Sequence, residues 1–191
     1  MPTTIRYNTN VVADTRIPDN INPLQSNGFM LNIQRLPKVK YFCQQVNIPG
    51  MQLGSPEQAN PFVNAPIPGE MLTFDQFTIQ FLVDEYMCNY KSITDWMRGL
   101  GFPEDNQQYT DMLDEHDQFA AGELTKNYSD GFLEILDSNN LACKRIKFKD
   151  MFPVSIEGLS FESTVTDVTY LVGSATFRFT DWEFEEDNCC P

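Results

Sequence analysis

The chain has 191 residues, 41% hydrophobic and 13% aromatic, with 27 Asp and Glu against 13 Lys and Arg for a formal charge of −14. That length suits one domain, which buries roughly 70% of its unfolded surface without a disulfide or metal staple. The acidic balance argues against phosphate-backbone binding and against docking on an anionic membrane, both driven by Lys and Arg, and no apolar run reaches the roughly 18 residues of a bilayer span.

The five cysteines, at 43, 88, 143, 189 and 190, form no CxxC pair and read as reduced thiols of a protein folded in a cytoplasm. The N-terminal stretch has no apolar signal-peptide core. Residues 1–27 are polar, hold Pro18 and Pro23, and carry no sustained period, so they read as an extended arm, disordered or docked on a neighbour. Residues 188–191 read as a frayed tail, and 28–187 as a single domain.

The first predicted strand is 28–34, with Phe29, Leu31 and Ile33 alternating toward a core. Pro37 is read as a break, and a second strand is expected over 39–48, ending at the turn dipeptide Pro49-Gly50. Four prolines (56, 61, 66 and 68) exclude a helix or central strand over 51–70. Yet Met51, Leu53, Phe62, Val63, Ile67 and Met71 make 51–71 too apolar for a plain surface loop. Two readings stay open: a ribbon buried against another chain, or a loop folded over its own domain.

The clearest strand signal spans 72–85, where Phe77, Ile79, Phe81 and Val83 share a face. A helix is expected over 89–100, capped by Asn89, because Ile93, Trp96, Met97 and Leu100 form one apolar stripe with Trp96 as its core anchor. An acidic insertion follows over 101–130, part of a stretch to 137 in which ten acidic residues face Lys126 alone. A short helix over 107–119 would put Asp111, Asp114 and Glu115 on one face, without the spacing of a calcium loop.

Next comes a hairpin, 132–136 and 141–150, around the turn at 137–140. Its second strand carries Lys144, Arg145, Lys147 and Lys149, which suits either an edge guarded against aggregation or a docking face for an acidic partner. A strand is read from Phe152-Pro153 to Phe161, and a last one over 168–184. In the last, Ala175, Phe177 and Phe179 are odd while Trp182 and Phe184 are even, so a bulge is expected near Thr180-Asp181. At least six strands against one firm helix give a mainly β, β-rich α+β fold with a helix on its flank.

Catalytic chemistry is not expected. Ser-His catalysis would rest on His116, the single histidine, in the acidic insertion; neither GxSxG nor GxxxxGK[ST] occurs. No metal or cofactor is expected either.

The ordered series of features resembles the tail tube proteins of contractile-tailed bacteriophages, which are similar to the inner-tube proteins of type VI secretion and contractile-injection particles. The matching pieces are Phe29 to Ile33, Phe42 to Val46, Ile48-Pro49-Gly50 before the apolar ribbon, and Gly69-Glu70 through Phe74. Asp84-Glu85 before the Trp96 helix, Phe152-Pro153 with Leu159 and Phe161, and Trp182-Glu183 complete it. The series covers about 28–100 and 131–184; the 27-residue arm and the 101–130 insertion exceed a minimal tube subunit.

This resemblance implies a tail-tube β-sandwich or barrel whose sheets join between subunits into a continuous inner barrel, in hexameric rings stacked as a conduit for DNA ejection. The implied partners are copies of itself, a tail sheath outside, tape-measure protein and DNA inside, and baseplate and terminator proteins at the ends. The implied location is the virion tail. On this reading Met51, Leu53, Phe62, Val63, Ile67 and Met71 form the ring-stacking interface. Glu70 and Asp75 are candidate lumen acids, and Phe29, Leu31, Ile33, Phe77, Ile79, Phe81, Trp96, Phe177 and Phe179 are core anchors. The alternatives are a tube initiator or terminator of the same fold, or an acidic β-rich module that binds a basic peptide.

Overall fold

A computed structural model describes residues 23–59, 62–115, 127–164 and 167–185. Most of the N-terminal arm, the tail at 188–191, His116 and the end of the expected 107–119 helix lie outside these residues.

Strand β1 (Phe29–Ile33) buries Leu31 and Ile33 and leaves Phe29 at the core margin, as alternation dictates. The expected strand over 39–48 is corrected. Residues Pro37–Phe42 form helix α1, and only Cys43–Val46 are extended as β2. Pro37 starts that helix instead of breaking a strand, since a fixed φ and a missing N–H cost nothing in a first turn.

Strand β7 (Phe77–Leu82) buries Phe77, Ile79 and Phe81 completely. Helix α2 (Cys88–Gly101) follows, with Ile93, Trp96 and Gly99 buried. Asn89 is not its cap. Met87 holds that position in a left-handed conformation, and Asn89 lies inside the first turn, fully buried. Its side chain donates to Leu82 O at 2.7 Å and accepts from Asp84 N and Tyr90 N. The residue therefore ties the end of β7 to the start of α2. Helix α3 (Gln107–Glu115) packs on α2 where Gly99 leaves room: a Cβ there would lie 2.6 Å from Met112 Sδ.

Strands β8 (Ser129–Leu136), β9 (Ala142–Ile156), β10 (Val172–Arg178) and β11 (Asp181–Glu185) complete the fold. The two strands read as 141–150 and 152–161 are one 15-residue strand, β9, and residues 157–164 are not extended in a ladder. At Asp150, whose φ is +54°, β9 turns from one layer to the other. Its first half pairs with β8 and β11 and its second half with β10.

Two four-stranded antiparallel layers result, sharing β9. The first runs β1-β8-β9-β11 and the second β9-β10-β7-β2. The phase change near residue 180 is where the chain crosses from the second layer to the first, and not a bulge within one strand. Thr180 N donates to Lys149 O at that crossing. The layers meet through Phe77 and Phe148, with ring centroids 4.6 Å apart, and Phe177 packs on Trp96 of α2 at 6.3 Å. Phe179 is half-buried against Phe148. The protein is thus mainly β, a sandwich with helices at its flank.

Candidate functional site

The segment 51–71 is not a loop folded over its own domain. It is a hairpin arm. Strand β3 (Met51–Leu53) pairs with β6 (Leu72–Phe74), and β4 (Glu57–Gln58) pairs with β5 (Ala65–Pro66). Backbone bonds fill the gaps: Asp75 N to Gly50 O at 3.0 Å, Gly54 N to Met71 O at 2.9 Å, and Ile67 N to Pro56 O at 2.9 Å.

The arm continues the β2–β7 pair of the second layer, so one long ladder runs from Cys43 and Phe81 to Gln58 and Ala65. Prolines are compatible with it because both of its strands are edges. A missing N–H on an edge strand faces away from the pairing partner, and Pro56 still accepts through its carbonyl. Gly69 permits the closest approach, where an added Cβ would sit 2.5 Å from Gly54 O.

The arm has no second layer of its own. Met51, Leu53, Phe62, Val63, Ile67, Met71 and Leu72 are all exposed, Phe62 to 98%. The ladder shows why: β3 to β6 pair only with one another among the described residues. Glu70 and Asp75 lie on this arm, Glu70 between β5 and β6 and Asp75 at its base. Both are exposed.

A second exposed apolar group lies at the opposite end of the same layer. Val172 pairs with Leu82 and Phe177 with Phe77, so β10 begins at the end of β7 remote from the arm. The connection before it carries Phe161, Val168 and Tyr170, exposed to 72%, 85% and 78%. Phe161 and Val168 are expected at strand ends from the sequence, whereas in the fold both lie with Tyr170 on a connection.

Both layers also have open sides. In the second, β2 pairs only with β7, and β9 beyond Met151 has no neighbour opposite β10 among the described residues. In the first, β1 and β11 are the outer strands.

The basic strand is not a free docking face. Arg145 pairs with Glu134 and with Glu185 at 3.3 Å, Lys149 with Glu183 at 2.8 Å, and Lys147 with Asp130 at 3.6 Å. Arg145 and Lys147 also stand over the Phe132 ring. The hydrogen bond to Glu183 holds Lys149 above its usual pKa, and the same bond holds Glu183 below its own. The Glu134 hydrogen bond raises Arg145. At the edge, burial pushes the Cys43 thiol up to about 11, which favours its protonated form at neutral pH. Among the described residues no three His, Cys, Asp or Glu side chains gather to hold a metal, and no helix is long and apolar enough to cross a membrane.

Open sheet edges and an unpartnered apolar arm are the anatomy of a structural protein that is completed by association. The chain belongs to the phage tail tube protein family, whose model matches residues 6–185. It is therefore a structural tail tube protein.

Solved structures share the fold at low identity. A chain of the anti-feeding prophage baseplate, 6-fold symmetrised, superposes with a TM-score of 0.59 at 10% identity, covering 86% of this chain and 96% of that one. A chain of the anti-feeding prophage tube-terminating cap gives 0.56 at 13% identity, covering 92% and 99%. A chain from the extended sheath–tube complex of the PVC extracellular contractile injection system gives 0.53 at 12%, covering 85% and 91%. No curated protein matches the sequence.

Proposed function

We propose that this protein is the main tube subunit of a contractile phage tail: it closes into hexameric rings that stack into the conduit for DNA ejection. The observation that carries this is the apolar arm, which extends the second layer past the body of the subunit with nothing of its own chain to cover it.

Ring closure follows from strand parity. Four antiparallel strands lie between the open edges of the second layer. The β2 of one copy therefore meets 152–156 of the next in antiparallel sense, and the ladder closes without a parallel mismatch. Closure removes the free edges. Stacking follows from polarity. The arm leaves one end of the layer, and Phe161, Val168 and Tyr170 are exposed at the other, so the arm of one ring covers that group on the next. Burying apolar area of both at roughly 25 cal/mol per Å² gives the contact its drive.

The partners proposed are copies of the chain, a sheath around the tube, tape-measure protein and DNA within it, and baseplate and terminator proteins at its ends. The assembly would form in the host cytoplasm and reside in the virion, and no catalytic step is assigned to it. Negative-stain electron microscopy of the purified protein tests the reading, with stacked six-fold tubes expected. Single rings that never elongate would move the protein to a tube end, and monomers at high concentration would end the proposal.

A further inference from the structure

The second layer turns two complete rows of side chains away from the core. Register places Gln45, Gln80, Ser174 and Glu157 in one row and Asn47, Thr78, Thr176 and Ser155 in the next. Their neighbours along the strands, Phe77, Ile79, Phe81, Ala175 and Phe177, are wholly buried, so alternation turns these two rows away from the core, with Ser174 only 9% exposed. All but Glu157 are neutral hydrogen-bonding residues. Thr78 Oγ1 lies 3.5 Å from Thr176 Oγ1, and Thr78 N donates to Asn47 Oδ1 at 2.6 Å. The charges on this face are Glu157, at the β9 end of the first row, and Arg178, beyond the second row toward the arm.

The first layer is the opposite. Its outward rows are Glu134, Arg145 and Glu185, then Phe132, Lys147 and Glu183, with Lys149 opposite Asp181. A chain with 27 acids has put many charges on one face and a single one, Glu157, in the two rows of the other.

We infer that the second layer's outward face is the channel wall of the tube, and that a polyanion passing through meets a hydrated surface of hydroxyls and amides whose two rows carry one charge per subunit, Glu157. The inference rests on the tube reading. The arm selects the layer: it prolongs β2 and β7 along the strand direction, so only the second layer is carried across from ring to ring. A wall without Lys or Arg releases no counterions from a nucleic acid and so cannot hold it. A wall with Glu157 as the single acid of its two rows adds little repulsion as the walls close in. Hydroxyls and amides exchange their hydrogen bonds with water at little net gain, which favours sliding over capture. The acidity of the chain lies elsewhere, as with exposed Glu104, Asp105 and Asp111 beside α2. Glu70 and Asp75 sit on the arm, outside both rows.

Tubes assembled with a ten-residue oligodeoxyadenylate, at an ionic strength low enough to leave charges unscreened over about 30 Å, provide the test. Wild-type tubes should sediment free of DNA. Thr78→Lys/Thr176→Lys tubes should carry down at least about ten-fold more, in a form resistant to nuclease because it is enclosed. Tubes of Glu183→Lys, altered on the other layer, should bind only digestible DNA. If the double variant does not assemble, Gln80→Lys in the adjoining row takes its place. Retention by wild-type tubes overturns the inference, as does a Lys variant that holds nothing extra or holds only digestible DNA. Microscopy before DNA is added separates this outcome from failure of the tube reading itself.

Discussion

Phe77 and Phe62 are the same residue under opposite conditions, one wholly buried and the other 98% exposed. In the body of the subunit, Phe77 is met across the sandwich by Phe148, and Phe177 by Trp96. In the arm, two paired strands satisfy each other's backbone, yet no layer faces their side chains. The difference separates two jobs. The body is stabilised by what it buries within one chain, whereas the arm leaves its apolar surface uncovered by that chain.

The strongest way to break this contrast is at the body. Phe177→Ala should cost about 3–5 kcal/mol by opening a cavity among Phe77, Trp96 and Pro153, read as a lower midpoint in denaturant unfolding. A loss below about 1 kcal/mol would mean the sandwich is not the source of stability.

The arm should behave in the reverse way. Leu53→Ser with Phe62→Ser is expected to leave the thermal midpoint of the isolated subunit within about 2 °C of wild type. Tube formation should nevertheless be abolished, leaving rings or monomers in the microscope. A large drop in the midpoint would show that the arm packs on its own body after all.

The smallest effect is expected on the charged face, where exposed pairs are screened by water. Glu183→Gln should shift the midpoint by about 2 °C or less at neutral pH. The sign with pH is definite. Glu183 is held below its ordinary pKa of 4.5 by its hydrogen bond to Lys149, so its contribution is present above that value. It disappears as pH falls through the lowered folded value. Midpoints of wild type and variant should therefore converge in acid, and a gap that persists there would show that the pair is not its cause.

Much of the body was legible from period-two alternation, because a strand with one buried face must show it in its residues. β1 and β7 fall inside the segments read, α2 matches its apolar stripe, and the loss of phase near residue 180 marks a true change of layer. The misreadings share another origin. Residues 39–48 alternate well enough for a strand, yet 39–42 belong to a helix that packs on β1, β7 and α2. Asn89 looks like a cap, and becomes a buried tie only because the end of β7 lies beside it. Arg145, Lys147 and Lys149 of β9 looked available for a partner until β8 and β11 brought Glu134, Asp130, Glu183 and Glu185 against them.

By its residues alone, this chain determined that it is acidic, mainly β and furnished with an apolar, proline-bearing segment that no single strand or helix can absorb. These are local properties, set by alternation, composition and the φ of proline. The tertiary structure decided which strands meet, that the segment is a hairpin prolonging one layer, and that one outward face is charged and paired while the other carries few charges. Register couples residues a hundred positions apart, and no periodicity along the chain carries that information.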